Sequence, residues 1–114
     1  YMDSIERLWE VIGHLNVGLC LDTCHTWAGG IPTIDAVKGF KKLVKKIDLI
    51  HFNDSKDGFE SSRDRHENLG KGKIPKEELE YVIKNAKTDI IVETPNGPDA
   101  QKKDIAWIRR RLKK

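Results

Sequence analysis

The chain has 114 residues, 38% of them hydrophobic, and a net charge of +3 from 21 basic and 18 acidic side chains. That suffices for one domain or part of one, is too apolar for a disordered chain, and permits an anionic partner without demanding one. No stretch nears the ~20 apolar residues of a membrane span, and no basic-then-apolar leader opens the chain.

In chain order, Asp3 followed by Glu6 resembles a capping box. It predicts a helix with Ile5, Leu8, Trp9 and Ile12 on one face, up to Gly13. Residues 17–22 form a short apolar run ending in polar residues, which reads as a buried strand. Gly29, Gly30 and Pro32 break the chain, and Thr33 is placed to cap a second helix. Its apolar face is Ile34, Val37, Phe40, Val44 and Ile47, although Ile47 equally suits the start of the next strand, which runs to about Asn53. Residues 54–73 carry little apolar periodicity and read as a long polar loop. Pro75 suits the first turn of a third helix presenting Leu79, Val82, Ile83 and Ala86. Residues 89–94 read as a third strand and 95–98 as a turn, before a last helix with Ile105, Ile108 and Leu112.

The order α-β-α-β-α-β-α predicts an α/β fold of parallel strands with helices packed outside. Three parallel strands leave both sheet edges open. A complete (β/α)8 TIM barrel needs about 250 residues, so the chain reads as about three of its eight units. It is incomplete as a single chain and expects another segment, another chain or a second copy to finish it. The chain opens on Tyr1, so the numbering is expected to begin inside a longer product.

The acids and histidines cluster at strand ends. Asp22 ends the first strand with His25 three residues on, His51 is late in the second, Asp64 and His66 lie in the long loop, and Glu93 is near the end of the third. All six belong to the C-terminal face of a βα barrel, which carries the active site. Imidazole and carboxylate without thiolate suit catalytic zinc, with manganese and iron as alternatives. Six such ligands supply two sites or most of a three-metal cluster. Clustered ions suit phosphodiester hydrolysis, because they neutralise phosphate oxygens and stabilise the leaving oxyanion. The loop cations Lys56, Arg63, Arg65, Lys71 and Lys73 are placed to hold a nucleic-acid backbone.

Blander readings stand beside these. A single His or Asp at a strand end is more often structural or solvated than a ligand. Cys20 and Cys24 read as small buried apolar residues, fit a reducing compartment and make no disulfide framework. His14 reads as a surface residue, Trp9 and Trp107 as core or interface, and Trp27 as a pocket wall beside His25. The basic run from Arg109 to Lys114 reads as a solvated helix end favoured by the helix dipole.

Three blocks carry a family resemblance: Gly18-Leu19-Cys20-Leu21-Asp22-Thr23-Cys24-His25; His51-Phe52-Asn53-Asp54-Ser55-Lys56 leading into Asp64-Arg65-His66-Glu67-Asn68-Leu69-Gly70-Lys71-Gly72; and Ile91-Val92-Glu93-Thr94-Pro95. In these the chain resembles the C-terminal part of endonuclease IV, the apurinic/apyrimidinic (AP) endonuclease family 2. The resemblance spans nearly all of residues 1–114 and departs mainly in lacking the N-terminal strands. It implies the last three strand-helix units of a TIM barrel with a three-zinc cluster. His25, Asp64 and His66 are implied to hold one zinc, and Asp22, His51 and Glu93 to contribute to a second. The remaining ligands belong to earlier strands. Glu93 is also implied as the catalytic residue that orients the attacking water. Arg65 is implied to contact DNA, with Lys56 and Asn53 beside it at the metal face. The implied reaction is zinc-dependent hydrolysis of the phosphodiester 5′ to an abasic site in duplex DNA, with trimming of blocked 3′ ends. The implied home is the cytoplasm, with nuclear or viral settings as alternatives. Two other readings remain open: a metal-dependent sugar isomerase or epimerase on a related barrel, and a non-catalytic fragment that binds metal or DNA.

Overall fold

The computed structural model describes residues 2–15, 17–44 and 46–112. Its elements are α1 (Met2–Ile12), β1 (Cys20–Asp22), α2 (Thr23–Ala28), α3 (Thr33–Leu43), β2 (Leu49–His51), β3 (Asp54–Ser55), β4 (His66–Glu67), α4 (Lys76–Ala86), β5 (Asp89–Ile91) and α5 (Gly97–Leu112). A parallel sheet runs in the order β1-β2-β5, and β3 pairs with β4 as a separate antiparallel hairpin. α3 links β1 to β2 and α4 links the hairpin to β5, the crossovers that parallel strands require.

The register places Cys20 opposite Leu49, Leu21 opposite Ile50 and Asp22 opposite His51; Leu49, Ile50 and His51 in turn oppose Asp89, Ile90 and Ile91. Side chains alternate across a strand, so these three rows face alternate sides. Leu21 and Ile50 are fully buried and share one core with Val37 and Phe40 of α3, Leu79 and Val82 of α4, and Trp107 and Ile108 of α5. The flanking rows face the other way, where Cys20, Asp89 and Ile91 are exposed. One side of the sheet is thus sealed by helices. The other carries Asp22 and His51 at its C-terminal end. Among the described residues, β1 and β5 each pair with β2 alone.

The fold class is the expected one: three parallel strand-helix units of a TIM barrel. Several local expectations are corrected. The six residues of α2 begin directly after β1, too few to print an apolar period. The polar stretch 54–73 contains the β3–β4 hairpin, whose two-residue strands are themselves polar. Pro32 and Pro75 occupy the N-cap positions of α3 and α4, so Thr33 is inside its helix and caps nothing. The Thr33 N–H instead donates across the helix pair to Glu78 Oε1 at 3.1 Å. α3 stops at Leu43, and Ile47 is buried in the segment that leads to β2. Asp3 lies within the first turn of α1, and α1 buries none of its residues fully. In α5 the buried residues are Asp104, Trp107 and Ile108, whereas Ile105 and Leu112 are exposed. Cys24 is buried as expected, but Cys20 is exposed on the open side of the sheet.

Candidate metal centre

The centre begins with Asp22. The strand ends there and α2 starts on the next residue, so Asp22 serves as N-cap, its Oδ1 accepting the His25 N–H at 3.0 Å. The other oxygen, Oδ2, is 4.0 Å from His51 Nδ1 and 3.7 Å from His66 Nε2. Burial pushes the Asp22 carboxyl above its ordinary range, and the nearby carboxylates of Asp64 and Glu93 add to that. His51 sits beside Asp22 because the two are register partners. Its Nδ1 is 2.5 Å from Glu93 Oε1. Glu93 lies two residues beyond Ile91, the residue opposite His51, and so falls on the same side of the sheet.

The hairpin supplies the second group. Pairing of Ser55 with His66 folds the long segment back over the strand ends. His66 Nδ1 is 2.8 Å from the Glu93 carbonyl oxygen. A carbonyl only accepts, so Nδ1 carries a proton and, in the neutral ring, the lone pair is on Nε2. That Nε2 is 3.6 Å from Asp64 Oδ1, and the other Asp64 oxygen is 3.2 Å from His25 Nδ1. Partial burial raises the Asp64 carboxyl, but hydrogen bonds from His25 and Cys24 and the charges of His66 and His25 outweigh it, leaving it below the ordinary range.

Two groups therefore form, in each of which the donor atoms lie within 4.8 Å of one another: Asp22, His51 and Glu93, and Cys24, Asp64 and His66. Zinc bonds of about 2.0–2.2 Å in a tetrahedral site separate ligand atoms by roughly 3.3 Å, so both groups fit an ion with small adjustments. All six expected ligands meet at one end of the sheet. The third corner of the second group, however, is Cys24, while the His25 imidazole pairs with Asp64. Adjacent residues in the first turn of α2 point in different directions: Cys24 inward, His25 to solvent. Burial pushes the Cys24 thiol up to about 12, and its S–H donates to the Arg65 carbonyl at 3.4 Å. Ligation requires a thiolate, so these surroundings favour the imidazole of His25 as the donor.

The rim residues divide. Lys56 and Arg65 are exposed. Arg65 forms a two-pronged pair with Asp57, at 2.8 and 2.7 Å, which draws the Asp57 carboxyl below its usual range. Asn53 is not on the rim. It is fully buried, its Oδ1 accepting the Glu93 N–H at 2.8 Å, so its expected DNA contact is corrected to an internal one. Trp27 is a core residue as well, edge-on to Phe59 with its Nε1 donating to the Asp57 carbonyl.

Sequence reasoning missed the residues that hold the loop. Asp54 is fully buried and accepts N–H bonds from Ser55, Gly70, Gly72 and Ile74 at 2.8–3.1 Å. Gly72 approaches so closely that a Cβ there would lie 2.3 Å from the Ser55 carbonyl oxygen, and Gly70 has φ +80°. An acid just after a strand, followed by a Gly-x-Gly stretch, was the available signal. No helix among the described residues is long and apolar enough to cross a membrane.

Several known proteins resemble this one. The chain is 49% identical over 109 residues to the probable endonuclease 4 of Mycobacterium tuberculosis, covering 96% of this chain and 42% of that protein. It is 48% identical over 109 residues to the probable endonuclease 4 of Mycobacterium leprae, with the same coverage. It thus spans less than half the length of these relatives. Among solved structures, endonuclease IV from Thermus thermophilus superposes with a TM-score of 0.79 at 29% identity, over 95% of this chain and 43% of that one. The pattern of the AP endonuclease 2 family, the xylose isomerase-like TIM barrel, matches residues 1–111, and the chain belongs to that family.

Proposed function

We propose that this chain is the C-terminal part of a DNA-repair nuclease of the endonuclease IV type, which hydrolyses the phosphodiester 5′ to an abasic site in duplex DNA. The single observation that carries the reading is the convergence of Asp22, His51 and Glu93 from three strand ends within 4.8 Å. Asp22 Oδ2 also faces His66 of the neighbouring group, which makes the two groups one centre.

In this reading Asp22, His51 and Glu93 hold one zinc ion and His25, Asp64 and His66 another, with manganese or iron as substitutes. The ions supply charge that neutralises phosphate oxygens and favours attack by water. The protein groups do the rest. Asp22 sets the spacing between the two sites, and the Glu93 carboxylate orients the attacking water. His66 Nδ1–H donates to the Glu93 carbonyl, which turns Nε2 toward the ion site. Lys56 and Arg65 grip backbone phosphates at the rim, a contact that positions DNA without reading its sequence. Selectivity follows from the lesion, because a nucleotide without its base costs less to extrude than a stacked, paired one. The products are a 3′-hydroxyl and a 5′-deoxyribose phosphate, and the same centre trims blocked 3′ ends. The remaining ligands come from another segment of the barrel or another chain, and the setting is the cytoplasm.

The test is incision of a duplex carrying one abasic site by the gene product that contains this chain. Cutting 5′ to the lesion, abolished by chelator and restored by zinc, is the expected result. Equal cutting of intact duplex would overturn it. Interconversion of aldose and ketose without DNA cleavage would favour the sugar isomerase reading of the same barrel.

A further inference from the structure

We infer that Asn53 and Thr23 form a buried clasp that positions Asp22, His51 and Glu93 for metal binding, an inference that rests on the metal reading above. The backbone ladder gives out just where the ligands stand. Between β2 and β5 its last rung is the Phe52 N–H to the Ile91 carbonyl, at 2.8 Å. Between β1 and β2 the ladder ends at Asp22, because Thr23 already belongs to α2. Two side chains carry the connection one step further. Thr23 Oγ1 accepts the Asn53 N–H at 2.8 Å and donates to the Asn53 carbonyl at 2.6 Å. Asn53 Oδ1 then accepts the Glu93 N–H at 2.8 Å.

The chain of bonds touches each ligand's strand. Thr23 follows Asp22, Asn53 lies two residues past His51, and the last bond reaches Glu93 itself. Both Thr23 and Asn53 are fully buried, so water cannot take over either role. The amide also carries a burden. Its Nδ2 is buried and has no hydrogen-bond partner among the described residues. An apolar side chain of the same size would avoid that desolvation. What the amide contributes in return is the Oδ1 bond that fixes the height of Glu93.

A residue that merely stabilised the fold would weaken both metal groups alike. A clasp on three strand ends should weaken chiefly the Asp22, His51 and Glu93 group, and reach His66 only at second hand, through its contacts with Glu93 and Asp22. The test is a zinc titration of the chain, followed separately through the imidazole NMR signals of His51 and His66. Asn53→Leu and Thr23→Val should each raise the zinc midpoint at His51 about tenfold or more, with His66 shifted by less than about threefold. Thr23→Ser, which keeps the hydroxyl, should restore the wild-type midpoint. Equal weakening at both histidines, or no change at His51, would overturn the clasp. A wild-type His51 that never responds to zinc would instead overturn the metal reading. If Asn53→Leu gives no folded protein by circular dichroism, the contrast between Thr23→Val and Thr23→Ser decides the matter on the same readout.

Discussion

His66 Nδ1 and the Glu93 carbonyl oxygen are 2.8 Å apart, so two candidate ligands from the hairpin and the sheet hold each other directly. The bond fixes the tautomer that leaves Nε2 free, between Asp22 at 3.7 Å and Asp64 at 3.6 Å. His66→Ala removes a donor and the tie to Glu93 together. Zinc affinity should fall by at least the roughly 10- to 100-fold typical of losing a supporting contact. Competition with a chelator of known affinity measures this, and an unchanged midpoint would sink the ligand assignment. Zinc at about 100 times its dissociation constant should also raise wild-type stability by about 2.7 kcal/mol, and chelator should remove that gain.

The hairpin stands over the metal groups because of Asp54. Its carboxylate accepts the N–H groups of Gly70, Gly72 and Ile74, spanning 20 residues of chain with one side chain. Asp54→Ala leaves those donors without their acceptor, and each buried, unsatisfied group costs about 1–3 kcal/mol. The expected loss is about 3 kcal/mol or more in urea unfolding. Gly72→Ala should act in the same direction, since its Cβ would meet the Ser55 carbonyl oxygen at 2.3 Å and Asp54 Oδ1 at 2.4 Å. A wild-type unfolding midpoint in both variants would show that the loop does not depend on this carboxylate.

Why Asp54 was hidden and Asp22 was not is a matter of what sequence can print. Hydrophobic period and punctuation reveal helices and strands, and α3, α4 and the three sheet strands follow from them. Ligand candidates at strand ends follow in turn, because a parallel sheet puts all its C-terminal ends on one side. Burial of polar residues leaves no such trace. Asn53, Thr23 and Asp104 look like surface residues by type, yet each is buried in a hydrogen-bond network that only the folded chain assembles. Short elements such as α2 and the β3–β4 hairpin are equally silent, since two to six residues cannot show a period. The choice between Cys24 and His25 depends on which way neighbouring residues of one turn point, and that requires coordinates.

Arg65, exposed on the rim, pairs with the largely covered side chain of Asp57, and the guanidinium holds that carboxyl below its ordinary value of 3.8. A carboxyl lowered in the folded state contributes stability that is present above the unfolded value and is lost as pH falls through the folded one. Ordering of residues 57–65 by this pair should therefore persist at pH 3.8 and disappear only below it. Carbon-detected NMR of the Asp57 carboxyl should give a midpoint under 3.8, returning toward that value in Arg65→Ala. The same variant should weaken duplex binding and reduce its salt slope by about one charge, with zinc content unchanged. Lost metal in Arg65→Ala would mean that the rim and the metal groups are not separable.

Asp104 ties the last helix to the centre. It is buried on α5, and its carboxylate accepts the Leu69 N–H at 2.9 Å and the Asn68 side-chain amide at 2.8 Å. The same Asn68 amide nitrogen donates to the Pro95 carbonyl, and Asn68 Oδ1 accepts from Asn96, so loop, strand end and helix share one network. Asp104→Asn offers one acceptor where two donors converge and turns an N–H group toward one of them. Hydrogen bonds to charged groups are worth about 1.5–3 kcal/mol, so a loss of about 2 kcal/mol in urea unfolding is expected. The effect should reach the metal groups, because residues 66–69 and 93–96 are the segments this network joins. Zinc binding at His66 should weaken in Asp104→Asn, whereas Arg111→Gln, which removes the guanidinium stacked on Trp107 at 3.5 Å, should leave it unchanged. Equal zinc binding in both variants would separate α5 from the centre and confine Asp104 to stability alone.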